Sequence, residues 1–169
     1  MTTKAEFLQQ HPLFKDLTED HIAILAQITD EVQFENEAMV VYQGDVADCL
    51  YIVKSGRLYA ETRQNDIQNN SYVTDSVDYL AGDYFVDDWL FEPNIQPANV
   101  KAKSHQGHPA TVLMIKGTNF VRFLLQHPDA LPLLATEEEE VEGETVVVGG
   151  LSRSAFAEAQ KLFAKAKKK

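Results

Sequence analysis

The stretch Tyr79–Val100, YLAGDYFVDDWLFEPNIQPANV, decides how the rest of the chain is read. It opens as a strand, turns at Ala81-Gly82-Asp83, and sets an apolar run, Tyr84-Phe85 to Trp89-Leu90-Phe91, around Asp87 and Asp88. A loop punctuated by Pro93 and Pro97 follows, and a strand resumes at Ala98-Asn99-Val100. The first N–H groups of a short helix have no partners within it, so one turn of helix held between two strands is a natural anion cradle. Yet no Arg or Lys occurs from Gly82 through Val100. The scaffold suits a phosphate and the charges do not.

Outward from this stretch the pattern is many short strands. Glu31–Phe34, Ala38–Tyr42, Cys49–Val53 and Arg57–Thr62 read as strands, separated by turns at Glu35-Asn36-Glu37, Gln43-Gly44-Asp45 and Ser55-Gly56. Gln64–Ser71 is polar and Asn-rich and reads as a loop, after which Tyr72-Val73 and Val77–Leu80 resume the strands. Lys101–Ser104 continues one strand, and Thr111–Ile115 is another, buried. Helices flank them. Ala5–Gln10 precedes the corner Pro12-Leu13-Phe14, and Thr18 caps a helix carrying Ile22, Leu25, Ala26 and Ile28, with His21 expected in solvent. Thr118 is expected to cap Asn119–Gln126, whose apolar face is Phe120, Phe123 and Leu124. The fold class expected is mainly β with flanking helices, a β-roll or jelly roll.

Composition removes several functions. The chain has 169 residues, enough to bury a core without metal or disulfide. A net charge of −11 argues against a nucleic acid partner, which needs basic residues to displace counterions. The single cysteine, Cys49, excludes an internal disulfide and reads as a packed thiol. Met1–Lys4 leads into FLQQHPLF, too polar and short for a signal peptide, and no run approaches the roughly 18 apolar residues of a membrane helix. A cytoplasmic location is expected.

From Thr136 the texture changes. Glu137–Glu140 with Glu142 and Glu144 reads as a solvated acidic linker, Thr145–Val148 as an edge strand, and Ser152 or Ser154 as the cap of a final helix. Ala155, Ala159, Leu162 and Ala166 share one face of that helix, which ends in Lys167-Lys168-Lys169. This divides the chain into residues 1–134, the β-roll with its helices, and 135–169, an appendage. The Lys-rich end reads as a solvated helix terminus rather than a membrane contact.

With these pieces in order, residues from Phe7 to Leu134 resemble the cyclic-nucleotide-binding domain family. The resemblance rests on HPLFKDLTEDHIAIL, Tyr42-Gln43-Gly44-Asp45, Cys49–Val53, Ser55-Gly56, Gly82-Asp83-Tyr84-Phe85 and the helix around Phe120. It implies a cyclic nucleotide as ligand and a phosphate cassette in which a Glu accepts the ribose hydroxyl and an Arg pairs with the phosphate. On this sequence Phe85 and Leu90 match that cassette, Val86 replaces its Gly, Asp87 its Glu and Asp88 a Leu. Gln96 falls where the Arg belongs, Pro97 and Ala98 stand for the small pair, and Asn99 replaces a Thr or Ser. Removing one member of a buried charge pair costs about 2–5 kcal/mol. Lys101 and Lys103 lie on the following strand, and Lys103 is the one whose reach could extend to the pocket.

Two functions follow. One is a non-catalytic regulatory module with weak or lost nucleotide binding that acts through protein contacts, a homodimer among them. The other is a working cyclic AMP or cyclic GMP sensor with an atypical pocket formed by Phe85, Val86, Asp87, Asp88, Leu90, Gln96, Ala98 and Asn99. Trp89 and Tyr84 read as packing, and without a ligand this aromatic cluster is expected to fill the pocket. Catalysis is not expected. Asp87 and Asp88 are adjacent and cannot face one target, and His105 and His108 lack a carboxylate to complete a metal site. The roughly 35 residues after Leu134 offer one helix, too little for a helix-turn-helix.

Overall fold

A computed structural model describes residues 2–65, 71–104 and 106–167. Two helices lead, α1 (Lys4–Gln10) and α2 (Glu19–Gln27). The strands β1 (Thr29–Phe34), β2 (Met39–Val41), β3 (Val46–Ala47), β4 (Cys49–Ser55), β5 (Arg57–Asn65) and β6 (Ser71–Leu80) follow. A single 3-10 turn, Asp87–Leu90, precedes β7 (Asn94–Ile95), β8 (Asn99–Lys103) and β9 (Ala110–Lys116). The chain then forms α3 (Gly117–Gln126), a 3-10 segment (Pro128–Leu134), the hairpin β10 (Glu137–Val141) and β11 (Glu144–Gly149), and α4 (Arg153–Lys167).

The sheets run β1-β9-β4 and β2-β8-β5-β6, with β3-β7 and β10-β11 as two-stranded pieces. The β4–β9 pair is apolar on both faces because it divides two cores. Leu50, Ile52, Leu113 and Ile115 point to a helical core shared with Leu8, Phe14, Leu25, Phe120 and Leu124. Cys49, Tyr51, Val53, Ala110 and Val112 point into the roll, against Leu58, Ala60, Val100 and Ala102. Period-two alternation thus buries both halves of each strand, which is why Cys49–Val53 carries no polar position.

The mainly β architecture with flanking helices matches the expectation, and several local readings change. Residues 137–141 are a strand paired to β11, not a solvated linker, with Glu137 bonded to Lys15 and Glu138 to Arg153. Leu151, Ala155 and Ala159 belong to the helical core, so the C-terminal segment packs as part of that core. Helix α3 begins at Gly117, one residue before the expected Thr118 cap. A Cβ at Gly117 would lie 2.5 Å from the Leu90 carbonyl oxygen, so this helix start fits tightly against the end of the 3-10 turn. His21 is buried, not solvated: its Nδ1 accepts from the Thr18 N–H and its Nε2 donates to Asp129 at 2.9 Å. The side chain of Ala166 and the centre of the Asn-rich loop, residues 66–70, lie outside what is described.

Candidate functional site: the 3-10 turn after Phe85

Four ties place this turn. His11 Nε2 donates to the Gly82 carbonyl at 2.8 Å, while its Nδ1 accepts from the Leu13 N–H at 3.2 Å. Asp83 Oδ2 accepts from the Leu80 N–H at 2.8 Å and closes the bend. The backbone then zips to β4, with Val53 N–H donating to the Asp83 carbonyl and Phe85 N–H to the Tyr51 carbonyl. Burial holds the His11 imidazole neutral by pulling its pKa down, against the opposing pull of the Gly82 carbonyl and Asp83.

The residues expected to bind a ligand diverge from here. Phe85 turns into the roll, its ring centroid 4.9 Å from Tyr51, 4.7 Å from Tyr79 and 6.5 Å from Trp89. These rings belong to the buried cluster in the roll's interior, where the sequence places a ligand or its substitute. Tyr51 is pushed up to about 12 by burial, with Cys49 and Asp48 adding to it, as suits a phenol inside an apolar core. Val86 caps the turn without a side-chain bond and is 45% exposed. Leu90 points the other way, into the helical core.

Asp87 is turned away from solvent. It is buried, and its two carboxylate oxygens accept from the Ser152 backbone N–H and the Ser152 hydroxyl, both at 2.7 Å. The same hydroxyl accepts from the Ala155 N–H at 3.2 Å, so Ser152 is the N-cap of α4 and the partner of Asp87 at once. Asp88 accepts from the Ser154 hydroxyl at 2.7 and 2.8 Å. Burial raises the Asp87 pKa, with the Ser152 donors opposing and the neighbouring Asp88 charge assisting. Tyr84 is raised too, chiefly by burial and then by Asp87.

Further along, Gln96 is 2% exposed, and its Nε2 has no hydrogen-bond partner. Its backbone accepts from Gly44 N–H at 2.9 Å and donates to the Asp45 carbonyl at 2.7 Å, which fixes the loop edge. Ala98 packs half-buried against the roll's interior. Asn99 uses its Oδ1 to accept from the Gln43 N–H at 2.8 Å. Strand alternation puts Val100 and Ala102 inside and Lys101 and Lys103 with Asn99 on the outer face. Lys103 therefore does not reach the interior; it pairs with Glu37 beside the Tyr59 ring, and Lys101 pairs with Glu37 at 3.6 Å.

The expected residues are thus brought to one region but not to one cavity. A cleft of about 440 Å³ opens beside them, between the turn and α4, lined by Val86, Asp88, Trp89, Glu92, Pro93, Asn94, Ser154 and Glu158. Sequence reasoning missed Ser152 and Ser154 as site residues. A helix cap at one or the other was readable, and Ser152 is that cap, but their partners lie 65 and 66 positions away. Cys49 is a buried thiol whose pKa burial raises. Among the described residues no group of three or more His, Cys, Asp or Glu side chains is placed to hold a metal ion, and no helix is long and apolar enough to cross a membrane. His105 lies outside the described residues.

Comparison with known proteins agrees with this fold. Residues 31–127 match the family model described as "Cyclic nucleotide-binding domain". A cGMP-dependent protein kinase of Drosophila melanogaster (isozyme 2, forms cD5/T2) is 26% identical over 110 residues, 64% of this chain and 11% of the kinase. The chain therefore spans about a tenth of that protein. The N-terminal domain of a transcriptional regulator from Streptomyces coelicolor superposes with a TM-score of 0.61 at 20% identity, covering 76% of this chain and 86% of that one. A regulatory subunit of a cAMP-independent protein kinase A from Trypanosoma brucei gives 0.57 at 22% identity, over 77% of this chain and 45% of the other. At these identities the structures share the fold alone.

Proposed function

The chain belongs to the cyclic nucleotide-binding domain family, whose members are regulatory modules, and from that premise we propose that it is a non-catalytic member that has kept the β-roll and lost its nucleotide. The observation that carries this reading is the occupation of Asp87. The resemblance gives this position to the acceptor of a ribose hydroxyl, and here both of its oxygens are bonded to Ser152. The chain's own C-terminal segment takes the bonds a ligand would take. Gln96 stands where the resemblance has the phosphate-pairing Arg, Lys101 and Lys103 point outward to Glu37, and Arg63 is paired with Glu61. The aromatic rings of Phe85, Tyr51, Tyr79 and Trp89 supply apolar filling for the roll. Regulation then passes through protein contacts, in the cytoplasm.

One observation favours the rival reading, a sensor with an unusual pocket. A buried amide donor without a partner costs about 1–3 kcal/mol, and the Gln96 Nε2 would be satisfied by an oxygen of a bound ligand. Thermal melting with cyclic AMP, cyclic GMP and linear nucleotides separates the two. The melting temperature should stay fixed up to about 10 mM. A ligand present at 100 times its dissociation constant stabilises by about 2.7 kcal/mol, so a clear rise at micromolar cyclic nucleotide would establish the sensor instead.

A further inference from the structure

The cleft of about 440 Å³ between the 3-10 turn and α4 carries charge of one sign. Asp88 and Glu92 enter it from the turn and the residues just after, and Glu158 enters from the helix. Among the described residues, no Lys or Arg lines it. Lys161 pairs with Glu158 at 2.9 Å from outside the lining, an exposed pair that another cation displaces easily. The Glu92 carboxylate makes no hydrogen bond or ion pair among the described residues, and Asp88 has only the Ser154 hydroxyl.

Val86, 45% exposed, and Pro93 give the cleft an apolar side, and Trp89 forms part of its wall. Trp89 is otherwise packed, 8% exposed, with its ring perpendicular to that of Phe85. Its indole N–H nevertheless makes no hydrogen bond among the described residues and is not sealed from solvent. The side chain borders the cleft, so an acceptor lodged there completes its bonding.

We propose that this cleft docks an arginine-bearing segment of a partner protein. The proposal gives a chemistry to the protein contacts inferred above and rests on that reading. Three features select the occupant. The carboxylates are spread apart: among the described residues no three acidic groups are placed to hold a metal ion. A planar guanidinium, by contrast, reaches separate carboxylates with its several N–H donors and packs well beside an indole. A polyamine brings charge but no acceptor for the Trp89 N–H, whereas a peptide brings its backbone carbonyls. Val86 and Pro93 then take an apolar neighbour of the arginine. The net charge of −11 repels phosphate-bearing alternatives such as nucleic acid or an anionic membrane.

Trp89 is the one tryptophan of the chain, so its fluorescence reports on this wall. The full chain is titrated with a synthetic hexapeptide of alternating leucine and arginine, with the lysine version of that peptide, and with spermidine. A saturable change in Trp89 emission is expected with the arginine peptide, at least tenfold tighter than with the other two. It should weaken as sodium chloride rises from about 50 to 500 mM. Glu92→Gln and Glu158→Gln together should weaken it at least tenfold with the melting temperature unchanged, because neither side chain is buried. Silence up to about 1 mM peptide, a dissociation constant corresponding to about 4 kcal/mol, would overturn the proposal. So would binding indifferent to both substitutions, or lysine peptide or spermidine binding as tightly as arginine. The titration contains no nucleotide, so its failure leaves the loss of the nucleotide to be decided by the melting series alone.

Discussion

Asp87 and Ser152 are joined twice, backbone N–H to one carboxylate oxygen and hydroxyl to the other, each at 2.7 Å. This double bond of donors holds the C-terminal helix against the turn that follows Phe85. It also ties the last helix of the chain to β4 through the Phe85–Tyr51 backbone bond. Ser152→Ala removes a hydrogen bond to a buried carboxyl group, worth about 1.5–3 kcal/mol when that group is charged. It also removes an N-cap, worth about 1 kcal/mol. A loss of about 2–4 kcal/mol is expected in urea unfolding. Ser154→Ala, whose bond to Asp88 lies at the exposed rim, should cost less than about 1 kcal/mol.

Acid should act on Asp87 in an unusual sense. Its folded pKa is raised, chiefly by burial, so its contribution is fully present below the unfolded value near 3.8 and is lost as pH rises through the folded value. Compared with Asp87→Asn, the wild type should therefore gain relative stability as pH falls from 7 toward 4. Denaturant melts of both proteins at several pH values check this; a relative loss on acidification would show that the Ser152 donors outweigh burial.

His11 should oppose that trend. Its folded pKa is depressed, so its contribution is complete above about 6.5 and is lost as pH falls below that value toward the folded one. Protonation would also remove the Nδ1 acceptor of the Leu13 N–H. An NMR titration should show the His11 ring titrating below the usual histidine range, and the Gly82 turn should loosen at the same pH.

Much of this was legible beforehand. Short strands bounded by Gly44, Gly56 and Gly82, and the apolar run Cys49–Val53, suffice for a roll between helices. The absence of Arg and Lys from Gly82 to Val100, on which the proposed loss of the ligand leans, was equally readable. What the sequence hid depends on contacts between distant residues. Glu is a poor strand former, so Glu137–Glu140 reads as linker until Lys15 and Arg153 are seen to neutralise its base. His21 looks solvated at the start of a helix until α3 and the segment behind it bring Phe123 and Asp129 over it. Ser152 announces a helix cap, and nothing local announces Asp87.

Gln96 provides the remaining lever. Gln96→Met removes an unpartnered buried amide and keeps the volume, so it should be neutral or stabilising by about 1 kcal/mol. Gln96→Arg places an unpaired guanidinium in the same enclosed position and should destabilise by about 3 kcal/mol or more. Added cyclic nucleotide at millimolar concentration should recover part of that loss if the cradle persists beneath the closed arrangement. Chemical denaturation with and without nucleotide reads both variants.

The central claim is that Ser152 already occupies the acceptor on which a cyclic nucleotide would depend. Its most direct measurement is a titration of the isotopically labelled wild-type chain with cyclic AMP and cyclic GMP up to about 10 mM, following the amide resonances of Asp87, Asp88 and Ser152. These resonances should stay in place. A saturable displacement of the Ser152 amide at micromolar nucleotide would contradict the account.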